Sequence, residues 1–239
     1  MPRVVIEVVP DAGRVCAALA GQHDPSDSGV VGVAIDVLRA TSTLTVARRN
    51  GAAAVIPFAD TTLAIAYRGA HPDALICGER NGSIVPGFDL GNSPSEYSAE
   101  RVRGRTLAFA STNGSRAMLA QIGCQRRLLG AFVNASAVVR ACAGAAHVRI
   151  TCAGDRGQLS SEDLACAGWI ARALRERGFE ASGEDTSFAI EQAPVGAEAV
   201  HHAVEVAPHG KALALLGEQY QRDVAFCATL DALDSCESW

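Results

Sequence analysis

Asp36, Arg39, Thr41, Ser42 and Thr43 fall in one short stretch, Asp36-Val37-Leu38-Arg39-Ala40-Thr41-Ser42-Thr43. A carboxylate there can hold Mg²⁺, and a guanidinium can form paired hydrogen bonds with phosphate or sulfonate oxygens. Hydroxyls and backbone N–H groups at a helix start can receive an anion. A helix cap with an ion-paired arginine uses the same residue types, so the stretch alone leaves both readings open. Phosphatases that attack with a strand-end aspartate place a second acid two residues later to protonate the leaving group. That position is Leu38. Asp36 therefore reads better as a metal ligand than as a covalent nucleophile. The phosphate-cradling pattern GxxxxGKS/T is absent.

Four further turns carry similar residue types. Ser111-Thr112-Asn113-Gly114-Ser115-Arg116 offers neutral donors and a glycine that lets backbone approach a ligand, although such NG dipeptides mark turns generally. In Gly78-Glu79-Arg80, Glu79 can complete a metal site and Arg80 can bind an anion; a solvent-facing ion pair fits the dipeptide equally. Asp89 to Pro94 (DLGNSP) reads as a rigid loop, for binding or for structure alone. Asp155 with Glu162 and Asp163 reads first as charge placed at a helix N-terminus.

These turns need strand ends and helix starts to hold them, and the chain supplies both in alternation. VVGVAI (30–35) is a continuous β-branched run, as in a strand covered on both faces. TSTLTVARRNG follows as a helix opened by hydroxyl caps and closed by Gly51, then strand AVIPF and a helix capped by Asp60. ALICGE gives another strand. The loop from Arg80 to Ser98 has too much Gly, Pro, Asn and Ser for regular structure, while Phe88, Leu90 and Tyr97 predict that it is packed. Strands TLAFAS, RRLLGAF and HVRITCAG alternate with helices NGSRAMLAQIG and NASAVVRACAG, and SSEDLACAGWIARALRERG is the clearest helix of all. From about residue 180 the pattern is helical, with a late strand-like VAFCATL. The rhythm predicts an α/β protein, layered α/β/α on a largely parallel or mixed sheet. An echo, Phe58 with Phe132 and Asp60 with Asn134 at one interval, is compatible with a duplicated βαβα unit. Ligands in such folds bind beyond the carboxyl ends of the strands, where the turns above lie.

Composition narrows the partners. A chain of 239 residues, 49% hydrophobic, can bury one sizeable core or two lobes around a cleft. A net charge of −5 gives no basic surface for nucleic acid, and no apolar run long enough for a membrane span occurs. The N-terminus lacks a signal-peptide pattern, so a cytoplasmic location is expected. The eight cysteines show no CxxC pair and read as buried thiols, and His201-His202 has no partners at ligand spacing.

AIDVLRATST (34–43), CGERNG (77–82), GFDLGNSPSEY (87–97), STNGSRA (111–117), GAFVNASAV (130–138), CAGDRGQLSSEDLACAG (152–168) and DVAFCATLD (223–231) occur in the order seen in 2-phosphosulfolactate phosphatases. The chain resembles that family over most of its length, least well from about Glu180 to Gly210. The family commonly has threonines on both sides of the turn that reads Ser111 to Ser115 here. The resemblance implies Mg²⁺-dependent hydrolysis of (2R)-2-phospho-3-sulfolactate to sulfolactate and phosphate, a coenzyme M biosynthesis step. It also implies an α/β fold distinct from the aspartate-nucleophile phosphatases. On this reading residues 1–239 form one phosphatase domain, or two lobes at about 1–105 and 106–239. Asp36 and Glu79 hold Mg²⁺; Asp36, Arg39, Thr41 and Ser42 are the catalytic set. Arg80, Asn92, Thr112, Asn113, Gly114 and Asn134 bind a small anionic phosphorylated substrate, with a homodimer as the default assembly. Another phosphorylated hydroxy or sugar acid, or a phosphometabolite-binding protein without turnover, are the alternative readings.

Overall fold

The computed structural model describes residues 1–239 except His23 and Glu237. The strands are β1 (Arg3–Glu7), β2 (Val30–Ile35), β3 (Ala54–Pro57), β4 (Leu75–Arg80), β5 (Ser83–Ile84), β6 (Thr106–Ala110), β7 (Arg126–Gly130), β8 (His147–Cys152) and β9 (Glu180–Ser182). Between them run helices α1 (Ala12–Leu19), α2 (Ala40–Arg49), α3 (Thr61–Ala70), α4 (Ala99–Val102), α5 (Gly114–Leu119), α6 (Ala135–Ala141) and α7 (Ser161–Arg175). After β9 come α8 (Glu184–Gln192), α9 (Gly196–Val206), α10 (Pro208–Ala214) and α11 (Glu218–Cys227).

The strands form two sheets. One is parallel throughout, in the order β7-β2-β8-β1-β9. The other runs β3-β6-β4-β5 and is parallel except for the β4–β5 hairpin. In the first, β2 lies between β7 and β8 and is buried at every position from Val31 to Ile35, which explains its unbroken apolar run. Helices α6, α7, α9 and α11 pack Val138, Ile170, Val204 and Val224 against Val33, Leu128 and Ile150. A second core joins the sheets: Ala34 and Leu129 of the first meet Leu107 and Phe109 of the second around Leu44 of α2 and Met118 of α5.

The central place of α2 corrects the expectation of hydroxyl caps. Its residues Ala40–Thr45 are buried, and the hydroxyls of Thr41, Ser42 and Thr43 are satisfied by backbone carbonyls. Ser42 donates to the Val37 carbonyl at 2.8 Å, and Thr41 donates to that of Gly130 at 2.7 Å. The cap is instead the Asp36 carboxylate, which accepts from the Ala40 N–H at 3.1 Å.

Three other readings change. The VAFC of the strand-like run belongs to α11, where Asp223, Val224 and Cys227 share one buried face at helical spacing. The loop after β4 is packed, with Phe88, Leu90 and Tyr97 buried, yet it contains β5 and a 3₁₀ turn at Pro94–Glu96. The proposed 105/106 boundary does not separate the sheets, because each takes strands from both sides of it.

The echo has a topological counterpart. The units β2-α2-β3-α3-β4 and β6-α5-β7-α6-β8 correspond, and replacing β7-β2-β8 by the echo partners yields β3-β6-β4, the order in the other sheet. Asp60 and Asn134 hold equivalent positions as the N-cap residues of α3 and α6.

Candidate active site

Asp36 leaves the carboxyl end of β2 and is 6% exposed. One carboxylate oxygen caps α2; the other accepts no hydrogen bond among the described residues. Burial pushes this acid up to about 6, the Ala40 N–H and His209 oppose the rise, and the nearby Glu79 and Glu162 reinforce it. Three residues on, the Arg39 guanidinium donates to Asp223 Oδ2 at 2.6 Å and to the Gly82 carbonyl at 2.7 Å, over the Tyr220 ring. Asp223 Oδ1 accepts from the Ser93 hydroxyl at 2.6 Å.

The second sheet brings its strand ends to the same place. Glu79 on β4 accepts from the N–H groups of Thr112 and Gly82, each at 2.7 Å, and so ties the turn after β6 to the hairpin after β4. Gly114 makes the junction with the first sheet close: a Cβ there would lie 2.5 Å from Ala40 Cβ and 2.6 Å from Asp36 Oδ2. Only a residue without a side chain lets the β6 turn sit against Asp36.

Two matching hairpins form the rim. Arg80 pairs with Ser83 around Asn81 and Gly82, at φ 53° and 80°; Asp155 pairs with Gln158 around Arg156 and Gly157, at φ 50° and 79°. Positive φ at both central positions is the type I′ pattern, which suits Asn-Gly and strains arginine. The Arg156 guanidinium reaches across to Asn81 Oδ1 at 3.3 Å, and Asn113 Oδ1 accepts from the Arg156 N–H at 3.0 Å.

The third wall is α10, with His209, Ala212 and Leu213 facing the cleft. His209 Nδ1 lies 3.3 Å from Glu162 Oε1. Behind it, Asp163 accepts from the N–H groups of Val37 at 2.8 Å and Gly154 at 3.1 Å, joining the ends of β2 and β8. Burial pushes Asp163 well above the ordinary carboxylate range, with Glu162 and Asp36 adding to it. The cleft holds about 270 Å³, the size of a small metabolite.

The chain that carries this cleft has relatives. Residues 17–237 match the family model described as 2-phosphosulpholactate phosphatase. A probable 2-phosphosulfolactate phosphatase of Thermotoga petrophila is 37% identical over 200 residues, covering 83% of this chain and 84% of that protein. Proteins of the same description from Deinococcus radiodurans, at 37% over 84% of this chain and 83% of theirs, and Synechococcus sp. strain RCC307, at 38% over 84% and 85%, are similar to it as well. The chain belongs to the 2-phosphosulfolactate phosphatase family.

Within that family framework the expected residues divide. Asp36, Arg39, Glu79, Asn92, Thr112 and Asn113 line the cleft, and Gly114 shapes it. Thr41, Ser42 and Asn134 are fully buried and spend their polar atoms on backbone; Asn134 accepts from the Ala131 N–H and donates to the Leu129 carbonyl, both at 3.0 Å. Arg80 folds back onto the carbonyls of Glu79 and Ala59. Residue order gave no role to Arg156, His209 or Asp223, and read Glu162 and Asp163 as helix-end charge. Both acids do lie in the first turn of α7, and both are in addition buried beside the ends of β2 and β8.

A magnesium site was expected at Asp36 and Glu79. Among the described residues no group of three His, Cys, Asp or Glu side chains is placed to hold a metal ion. Mg²⁺, however, characteristically takes one or two carboxylates and completes its shell with water and phosphate oxygens. The uncommitted oxygen of Asp36 fits that demand, as do Asn92 Oδ1 and Thr112 Oγ1, buried oxygens without a hydrogen-bond partner among the described residues.

Proposed function

We propose that the protein is a Mg²⁺-dependent phosphatase that hydrolyses (2R)-2-phospho-3-sulfolactate to 3-sulfolactate and phosphate. The observation that carries the reading is one small cleft where Asp36 meets Glu79 between two arginines, with one Asp36 oxygen and the side-chain oxygens of Asn92 and Thr112 unpartnered among the described residues. Asp36 and Glu79 would hold the ion, which when bound polarises the phosphoryl group and offsets its charge. Arg39, fixed by Asp223 and the Gly82 carbonyl, presents its cation to the phosphoryl oxygens without having to reorganise. Arg156 takes the distal sulfonate or carboxylate, since Arg80 is occupied with backbone carbonyls. Leu213 of α10 gives the cleft an apolar side that limits water around the ester.

The test is phosphate release from phosphosulfolactate and from a panel of other phosphorylated hydroxy and sugar acids, each with added Mg²⁺ and with chelator. Chelator-sensitive release that is fastest with phosphosulfolactate is expected. Faster release from another ester would reassign the substrate, and saturable binding without release would make the protein a binder.

A further inference from the structure

An alkyl phosphate leaves as an alkoxide, a poor leaving group unless it is protonated as the P–O bond breaks. Leu38 occupies the place where strand-end phosphatases carry the acid for that step, so the proton must come from elsewhere in the cleft. Its wall includes an imidazole, on a helix outside the sheets. His209 follows Pro208 in the first turn of α10, and its side chain is 30% exposed to the cleft that contains Asp36. Nδ1 is engaged by Glu162 Oε1 at 3.3 Å. Nε2 makes no hydrogen bond among the described residues and is left for a ligand.

Glu162 is 1% exposed, fixed in the first turn of α7, and its second oxygen has no hydrogen-bond partner among the described residues. A buried carboxylate against one imidazole nitrogen sets the orientation of the ring and favours its cationic form.

On the phosphatase reading above, we infer that His209 is the general acid that protonates the leaving oxygen, and that Glu162 is the positioning residue that holds it. The P–O bond breaks with its electron pair on the leaving oxygen, which forms an O–H bond with the proton from Nε2. Water supplies the new P–O bond and releases its surplus proton to solvent, and the neutral imidazole regains one from solvent. The surroundings agree. Burial lowers the basicity of His209, but the hydrogen bond and charge of Glu162 outweigh it, with Asp36 and Asp155 adding, so the ring is held above its ordinary value. Glu79, Arg39 and Arg156 are the other charged groups facing the same cleft.

The experiment compares steady-state turnover of phosphosulfolactate by wild type, His209→Gln, His209→Ala and Glu162→Gln, with circular dichroism confirming that each is folded. Loss of roughly 10²- to 10⁴-fold in kcat with little change in KM is expected for His209→Gln. Added imidazole should restore turnover to His209→Ala in proportion to the imidazolium concentration, a rescue that a purely structural role would not give. Glu162→Gln should shift the alkaline limb of the kcat profile to lower pH. A kcat within about threefold of wild type in His209→Gln, or a loss confined to KM, overturns the assignment. Wild type that releases no phosphate overturns the phosphatase reading as well, so the two failures are distinguishable.

Discussion

Asp36 is a carboxyl whose burial works against the fold. With a native value of about 6 against an ordinary 3.8, it keeps its proton to higher pH in the folded chain than in the unfolded one. It has no effect on stability at pH values well below 3.8, and as pH rises from there through about 6 the native state loses stability. Above that window the loss amounts to about 3 kcal/mol. Asp36→Asn retains an oxygen for the Ala40 N–H and removes the charge, so in chelator at pH 8 the variant is expected to melt above wild type. The same change should abolish Mg²⁺-stimulated phosphate release, and the stabilisation should shrink to a small fraction at pH 4. Equal melting temperatures at pH 8 would show that the acid is not destabilising. Arg156 carries a similar conflict, since φ of 50° strains a residue with a long side chain. Arg156→Asn should gain about 0.5–1 kcal/mol in urea unfolding while raising KM for the sulfonated substrate about tenfold or more. At this scale the sequence reading found the residues at or just beyond strand ends: Asp36, Glu79, Thr112 and Asn113. It could not tell that Thr41, Ser42 and Asn134 turn to backbone, because that follows from the burial of α2 and from Asn134 bridging the Ala131 N–H and the Leu129 carbonyl at the end of β7. Nor could it see that Arg80 folds away from the cleft, which depends on where Ala59 lies.

Elements bring the remaining groups to the cleft from far along the chain, and α11 is the clearest case. Its Asp223 holds Arg39, 184 positions away, in an ion pair whose partners are each 4% exposed. Deleting one member of such a pair leaves the other charged and dry, at a cost of about 3–5 kcal/mol. Asp223→Ala is therefore expected to lower stability by that order in urea unfolding. Asp223→Asn, which can still accept from Arg39 and Ser93, should lose less and should impair kcat more than it impairs folding. Equal stability of wild type and Asp223→Ala would mean that Arg39 finds water once its partner is gone. The segment containing Asp223 reads as a strand because VAFC is apolar and β-rich over a short span. Only the buried face Asp223, Val224 and Cys227, set by the packing of α11 on the first core, distinguishes a helix. Strands β1 and β9 are short edge-side pieces in charged or polar contexts, and their pairing with β8 and with each other is what defines them. The alternation from β2 to α7 was legible because buried parallel strands write themselves as apolar runs bounded by turn residues.

Across the whole molecule, the two sheets exchange strands. The first half of the chain gives β1 and β2 to one sheet and β3, β4 and β5 to the other; the second half gives β6 to the latter and β7, β8 and β9 to the former. β2 has both of its partners, β7 and β8, beyond residue 105, and β6 has both of its partners, β3 and β4, before it. The core around Leu44, Met118 and Phe109 spans both sheets, so neither can be exposed without opening the other. A molecule built this way is expected to unfold in one step. Calorimetry of the full chain should give a single transition whose van't Hoff and calorimetric enthalpies agree. Expressed alone, 1–105 should lack a protected core by hydrogen exchange, because its β2 edges would be unpaired, and 106–239 should fail in the same way around β6. Two resolved transitions, or a folded fragment on either side of residue 105, would mean that the sheets are independent and the cleft lies between separable lobes. A single transition instead places the cleft at a junction that must form with the fold, which is why Asp36, Glu79 and Gly114 can be held so close without flexible connections.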